Sequence, residues 1–356
     1  MRSALMLFLL FVLSALIAPI IAGPALSLSV SGATQPEESN SLKVKATLQN
    51  AGDEILRLLN DPRSVMAPEW DTNTFGIAKV DDGAAPSFAG VLVKWSPELA
   101  RANNLMTILA PGQSVEFVHD LAKAYDFSRA GRGNYTIDAF DNLFTHVDAS
   151  GNLVSIRATT NPTRLVITLS EKHYAGSHTS PSHRLTRRAQ FLNCTDEQQD
   201  RIMSALNPAQ KYAEESVNYL DAQSSSTTRY ESWFGKYSPS DKQTVLGHYK
   251  GIAGANMHGF KYDCSCNRMD AFAYVYPRKF GTIYLCAQFF NAKQTGHDSR
   301  AGTLIHETLH FVKLAGTMDN AYGQKNCRAL AKDYPDKARA NADSHEYFAE
   351  NIPHEK

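Results

Sequence analysis

Residues 301–310 read Ala301-Gly-Thr-Leu-Ile-His306-Glu307-Thr308-Leu309-His310. The surrounding pattern predicts an apolar helix from about Ser299 to Ala315, capped by Asp298 or Ser299 and stopped by Gly316. Residues four apart share a helix face, so both imidazoles can reach one metal ion while Glu307 stands beside them to take a proton from water. A catalytic zinc needs a third protein ligand and one open position. The longer pattern with a third histidine fails, because Lys313 stands where glycine is required and Gly316 where histidine is required. Cys327 is the only cysteine beyond the helix. Carboxylates remain: Asp319 just past the helix, or Asp333, Asp336, Asp343, Glu346 and Glu350 further on. Spacing does not choose between an early aspartate and a late glutamate.

Working outward, the second half mixes helix and strand. Asp196 to Leu220 suits an amphipathic helix, and Ala271–Tyr276 and Thr282–Phe289 flank a turn as a β-hairpin. All five cysteines, Cys194, Cys264, Cys266, Cys286 and Cys327, lie in this half. Cys264 and Cys266 would point to the same side of a strand, so each needs a distant partner. The odd number leaves at least one thiol free or intermolecular.

The first half differs. Period-2 alternation recurs in Leu26–Val30, Leu42–Leu48, Val154–Ala158 and Leu165–Leu169, with turn residues between, which indicates an antiparallel β-sandwich over 23–175. No catalytic constellation occurs there. His119 and His146 are expected at the surface, and Asn134 and Asn193 head glycosylation sequons. Residues 1–22 combine Arg2, an apolar run and a small-residue exit, the pattern of a secretory signal. Residues 176–188 are polar, contain Pro181 and end in Arg187-Arg188, a cut site for a basic-residue protease in an exported chain. The 36 basic and 36 acidic residues cancel. Each half is also balanced, with 17 of each up to Arg188 and 19 of each beyond it. Without a basic field nucleic acid is excluded as a main partner, and no segment after the signal is long and apolar enough to span a membrane.

The run Gly316-Thr-Met-Asp319-Asn-Ala-Tyr322-Gly323, directly after the histidine pair, resembles the signature of the aspzincin (deuterolysin-family) metalloendopeptidases, most closely the fungal peptidyl-lysine enzymes. The resemblance implies that Asp319 is the third zinc ligand and that Tyr322 donates a hydrogen bond to the oxyanion. It also implies disulfides Cys194–Cys264 and Cys266–Cys286, with Cys327 left as a buried free thiol. Residues 341–351 resemble the part of the lysine-specific enzymes whose acids line the pocket for the residue after the scissile bond, matching Asp343 and Glu346. The same pair fits a helix capping box, and His345 between them is expected to be exposed. Leu58–Arg63 is similar to part of the family's propeptide.

The expected protein is therefore α+β: an N-terminal antiparallel β-sandwich prodomain over 23–175, then a mainly helical zincin domain with a small sheet over 189–356. It would be a secreted zinc endopeptidase binding one Zn2+ and cutting proteins or peptides on the amino side of lysine. Its propeptide would act as inhibitor or chaperone. No cysteine precedes Cys194, so latency cannot come from a propeptide thiol on the zinc and must come from cover by residues 23–175, or from a carboxylate, histidine or lysine placed in the cleft. Two rival readings stand beside this one. One is a zinc protease using Glu346 as third ligand, with Asp319 only closing a turn; the other is a secreted β-sandwich binding protein whose second domain is inactive.

Overall fold

The computed structural model describes residues 23–32, 42–160, 164–169 and 188–355. The expected signal segment 1–22 and most of the linker, 176–187 with Arg187, lie outside the described residues. The described N-terminal half carries strands β1 (Leu26–Gly32), β2 (Lys43–Asn50), β3 (Leu56–Leu59), β4 (Phe75–Lys79), β5 (Ser87–Phe88) and β6 (Leu92–Trp95), then helix α1 (Pro97–Ala102). It continues through β7 (Met106–Leu109), β8 (Ser114–Asp120), α2 (Leu121–Ala124), β9 (Tyr125–Asp126), β10 (Gly133–Ala139), β11 (Leu143–Val147), β12 (Leu153–Thr160) and β13 (Leu165–Leu169). A seven-stranded sheet runs in the order β7-β3-β11-β12-β1-β2-β8, and a three-stranded sheet runs β13-β10-β4. Alternation builds the core: Val44, Ala46 and Leu48 of β2 point inward and pack in one cluster with Ile77, Tyr135 and Ile137 of the smaller sheet.

Two expectations are corrected here. The large sheet is not wholly antiparallel, since β1 pairs with β12 in parallel, Leu26 opposite Ala158. Those strands are separated by most of the half, so no hairpin imposes their direction. His119 and His146 are buried, not on the surface. Each occupies an inward position of its strand, which the neighbouring aspartates obscured. His119 Nε2 lies 2.9 Å from the Val65 carbonyl oxygen, and His146 Nδ1 accepts from the Arg57 N–H at 3.1 Å.

The C-terminal half begins with β14 (Gln190–Leu192) and the 27-residue helix α3 (Asp196–Ala222), started by a Thr195–Gln198 capping box. Then follow α4 (Thr228–Phe234), α5 (Pro239–Ala253), β15 (Lys261–Asp263), β16 (Ala271–Val275), β17 (Thr282–Leu285) and α6 (Ala287–Asn291). The half ends with α7 (Arg300–Leu309), α8 (Gln324–Asp333), α9 (Pro335–Arg339) and α10 (Ala342–Glu350). Strand β17 stops before the expected Phe289, because Cys286 opens the short helix α6. Disulfides join Cys194 to Cys264 and Cys266 to Cys286, with Cα atoms 5.0 and 4.5 Å apart, and Cys327 is free and buried.

The sheet of this half has the order β14-β15-β17-β16-β6. Its edge strand β6 comes from the N-terminal half and runs antiparallel to β16. The two halves therefore share one sheet beside α7. Among the described residues no helix is long and apolar enough to cross a membrane.

Candidate active site

Helix α7 is capped by Ser299, whose Oγ accepts from the Gly302 N–H at 2.9 Å. It ends at Leu309, earlier than the expected Ala315. His310 is its C-cap, and the chain turns back so that the Thr317 N–H reaches the Leu309 carbonyl. Gly316 supports this turn with φ +62°, a backbone state that disfavours side chains with a Cβ. The turn carries Asp319 back beneath the helix. Asn341 holds the returning loop, its Oδ1 accepting from the N–H groups of Asn320 at 2.8 Å and Ala321 at 3.1 Å.

His306, Glu307 and His310 are all fully buried, and Asp319 is nearly so. Asp319 Oδ1 lies 3.1 Å from His306 Nε2 and 3.3 Å from His310 Nε2. The two rings stand nearly perpendicular, at 84° with centroids 4.8 Å apart. His310 Nδ1 lies 2.8 Å from the Thr317 carbonyl oxygen. That carbonyl can only accept, which puts the proton on Nδ1 and leaves the Nε2 lone pair for a metal. On the outer side of the other ring, Asp343 Oδ1 lies 2.8 Å and Glu346 Oε2 3.3 Å from His306 Nδ1.

These residues fit a zinc ion. His306 Nε2, His310 Nε2 and Asp319 Oδ1 are buried polar atoms without a hydrogen-bond partner, converging from three side chains with the nitrogen and oxygen donors that zinc accepts. Both oxygens of Glu307 are buried and unpartnered beside them. Burial pushes the Glu307 carboxyl up to about 7, an effect that His306 and His310 reduce. Burial acts in the same direction on Asp319, but His310 and His306 outweigh it and hold its carboxyl well below the usual range.

A second group, His306, Asp343 and Glu346, also has three ligand-type atoms close together. It approaches the outer nitrogen of His306 and does not include His310. The acids expected to line a lysine pocket thus stand immediately behind one imidazole, and both are buried. They do not form a capping box, because Asn341 is the N-cap of α10 and makes no side-chain cap bond. His345 is fully buried and not exposed. Its Nδ1 is 2.9 Å from the Asn341 carbonyl oxygen and its Nε2 is 3.0 Å from His248 Nδ1.

Tyr322 is buried against Trp95, ring centroids 5.8 Å apart, and its hydroxyl donates to the Val93 carbonyl oxygen of β6. Sequence reasoning missed three residues at this site. Arg63 stacks over the Tyr322 ring at 4.3 Å and donates to the Asp319 backbone carbonyl at 3.3 Å. Lys94 of β6 reaches the acids, with Nζ 2.7 Å from Glu346 Oε2, 3.2 Å from Asp298 Oδ1 and 3.6 Å from Asp343 Oδ1. Asp298, expected only as a helix cap, joins this cluster. The short, mostly apolar run Leu92–Trp95 could have flagged a buried strand, but no local signal links it to a sheet that closes more than 170 residues later.

The family model described as lysine-specific metallo-endopeptidase matches residues 219–350. A peptidyl-Lys metalloendopeptidase of Grifola frondosa is 42% identical over 93% of this chain and 94% of its own. One of Armillaria mellea is 42% identical over 97% of both chains, and an extracellular protease of Aeromonas hydrophila is 32% identical over 89% of this chain and 90% of its own. The solved zinc peptidase of Grifola frondosa aligns at 46% identity and TM-score 0.45, covering 46% of this chain and all of that one. Two relatives at 42% identity along nearly the whole of both sequences establish that the chain belongs to the aspzincin family of zinc metalloendopeptidases.

Proposed function

We propose that this metalloendopeptidase is secreted as a zymogen and hydrolyses peptide bonds on the amino side of lysine. Residues 1–22 are its signal, 23–175 a β-sandwich propeptide that covers the cleft, 176–188 a linker cut after Arg187-Arg188, and 189–356 the catalytic domain. His306, His310 and Asp319 would hold one zinc ion. The observation that carries the lysine assignment is the pair Asp343 and Glu346, buried directly behind His306. Two carboxylates there attract an ammonium group, and a neutral side chain would leave them unpaired.

When bound, zinc polarises the scissile carbonyl and acidifies the attacking water. Glu307 takes that water's proton and passes it to the departing amine, a role that suits a buried carboxyl poised near neutrality. Tyr322 steadies the oxyanion, which is consistent with its hydroxyl already facing a peptide carbonyl. Asp343, 2.8 Å from His306 Nδ1, supports the charge of that imidazole from behind while also lining the pocket. Glu346 as the third ligand is disfavoured, because it faces Nδ1 of His306 and lies outside the group that includes His310.

The propeptide acts as inhibitor or chaperone, and the substrates are proteins or peptides. Export is supported by the extracellular protease relative. The pocket is tested by replacing both acids, Asp343→Asn with Glu346→Gln. The expected result is a loss of lysine preference of about two orders of magnitude in kcat/KM. Unchanged preference would refute the pocket.

A further inference from the structure

The N-terminal half does more than cover the cleft: one of its strands lies in it. Strand β6 pairs antiparallel with β16, Leu92 opposite Val275, Val93 opposite Tyr274 and Lys94 opposite Ala273. Adding a strand to an exposed sheet edge is a general mode of peptide recognition, in which backbone bonds hold the chain and side-chain pockets select it. Both halves of that mode are present. The Val93 carbonyl accepts from the Tyr322 hydroxyl, and the Val93 N–H donates to Asp319 Oδ2 at 3.1 Å. The next side chain, Lys94, is 2% exposed and its ammonium sits among Glu346, Asp298 and Asp343. Its Nζ also lies 4.8 Å from the centre of the Phe272 ring.

We infer that Leu92–Trp95 is a built-in substrate mimic. Lys94 fills the pocket that receives the lysine of a substrate, and the Val93–Lys94 peptide occupies the place of the scissile bond. This rests on the reading of Asp343 and Glu346 as the lysine pocket and deepens it, adding Asp298 as a third carboxylate of the same pocket. A buried lysine among three acids is expensive to leave unpaired on either side, so the match is specific to an ammonium. Because the strand is tethered, a peptide in solution competes against a high effective concentration of Lys94. Cover by bulk alone would not require a lysine, its pocket, or a carbonyl on Tyr322.

The test uses the full-length chain carrying Arg187→Ala and Arg188→Ala, with its intactness checked by mass spectrometry. In the zinc-loaded form, Lys94→Ala and Lys94→Met should each raise hydrolysis of a peptide with one central lysine by about ten-fold or more. Lys123→Ala, at an exposed lysine of the same half, should not. A second readout needs no turnover. In the same chain made inactive by Glu307→Gln, amine acylation followed by mass spectrometry should spare Lys94 relative to Lys123, and adding Asp343→Asn with Glu346→Gln should expose it. Lys94 labelling as fast as Lys123, or Lys94 variants no more active than the parent, would overturn the mimic. If the processed enzyme still cuts before lysine in that case, the pocket stands and only the mimic falls. If the processed enzyme shows no lysine preference, the pocket reading itself falls and the mimic with it.

Discussion

The smallest unit of the account is the set of side chains around His306. Glu307→Gln keeps size and removes the base, so the variant should retain zinc while proteolysis falls by roughly three orders of magnitude or more. Casein hydrolysis beside metal content checks this. Asp319→Ala should lose most of the bound zinc, whereas Glu346→Ala should keep it, a contrast that metal analysis reads directly. The buried histidine pair sets a pH dependence. Burial and the neighbouring His248 hold His345 well below its usual range, and burial lowers His248 too. Their folded-state values lie below the unfolded value of about 6.5, so both forms are neutral above it. As pH falls through that value the unfolded chain takes up protons first, and stability is lost. Denaturation of the full chain at about pH 7.5 and 5.5 should show a loss that shrinks in His248→Asn by roughly 1 kcal/mol. At this scale the sequence was readable where spacing encodes proximity: the structure brings His306, Glu307 and His310 together, buried, on one helix. The sequence misled at His119, His146 and His345, because a polar residue beside a charged one can still occupy an inward strand or helix position.

At the scale of elements, α7 and α10 bring His306 against Asp343 and Glu346, and the contact of the two helices depends on a missing side chain. A Cβ on Gly302 would meet Glu350 Oε1 at 2.2 Å and Glu346 Oε1 at 2.8 Å. Glu350 in turn accepts from the Ser299 N–H and hydroxyl at 2.9 and 2.8 Å and from the Asp298 N–H at 3.1 Å, so it fixes the cap of α7 and the position of Asp298. Gly302→Ala should therefore cost about 2 kcal/mol or more by thermal unfolding and weaken lysine selection at the same time. The helix α3 and the 271–285 hairpin followed the expected pattern, because amphipathic spacing and alternation are local, whereas the two disulfides match what the family resemblance implied. The early end of α7 was not legible, since the turn is set by the packing of Asp319 beneath the helix and not by Gly316 alone.

For the whole molecule, the division into a β half and a mixed half was visible in composition, alternation and cysteine placement. The shared sheet was not, because β6 and β16 meet only through folding. Electrostatics are local: the chain is neutral overall, and Asp298, Asp343 and Glu346 gather around one buried lysine, Lys94. The zymogen reading predicts that intact protein hydrolyses a lysine peptide at least roughly ten-fold more slowly than protein cut after Arg188, with equal rates contradicting it. The central claim, lysine-directed peptide hydrolysis by this site, is tested most directly by mapping cleavage sites of the processed form across a peptide library. The account predicts cuts concentrated at the bond preceding lysine, lost on chelation, regained with zinc and absent in Glu307→Gln. Cuts without regard to lysine, or cuts that persist in Glu307→Gln, would contradict it.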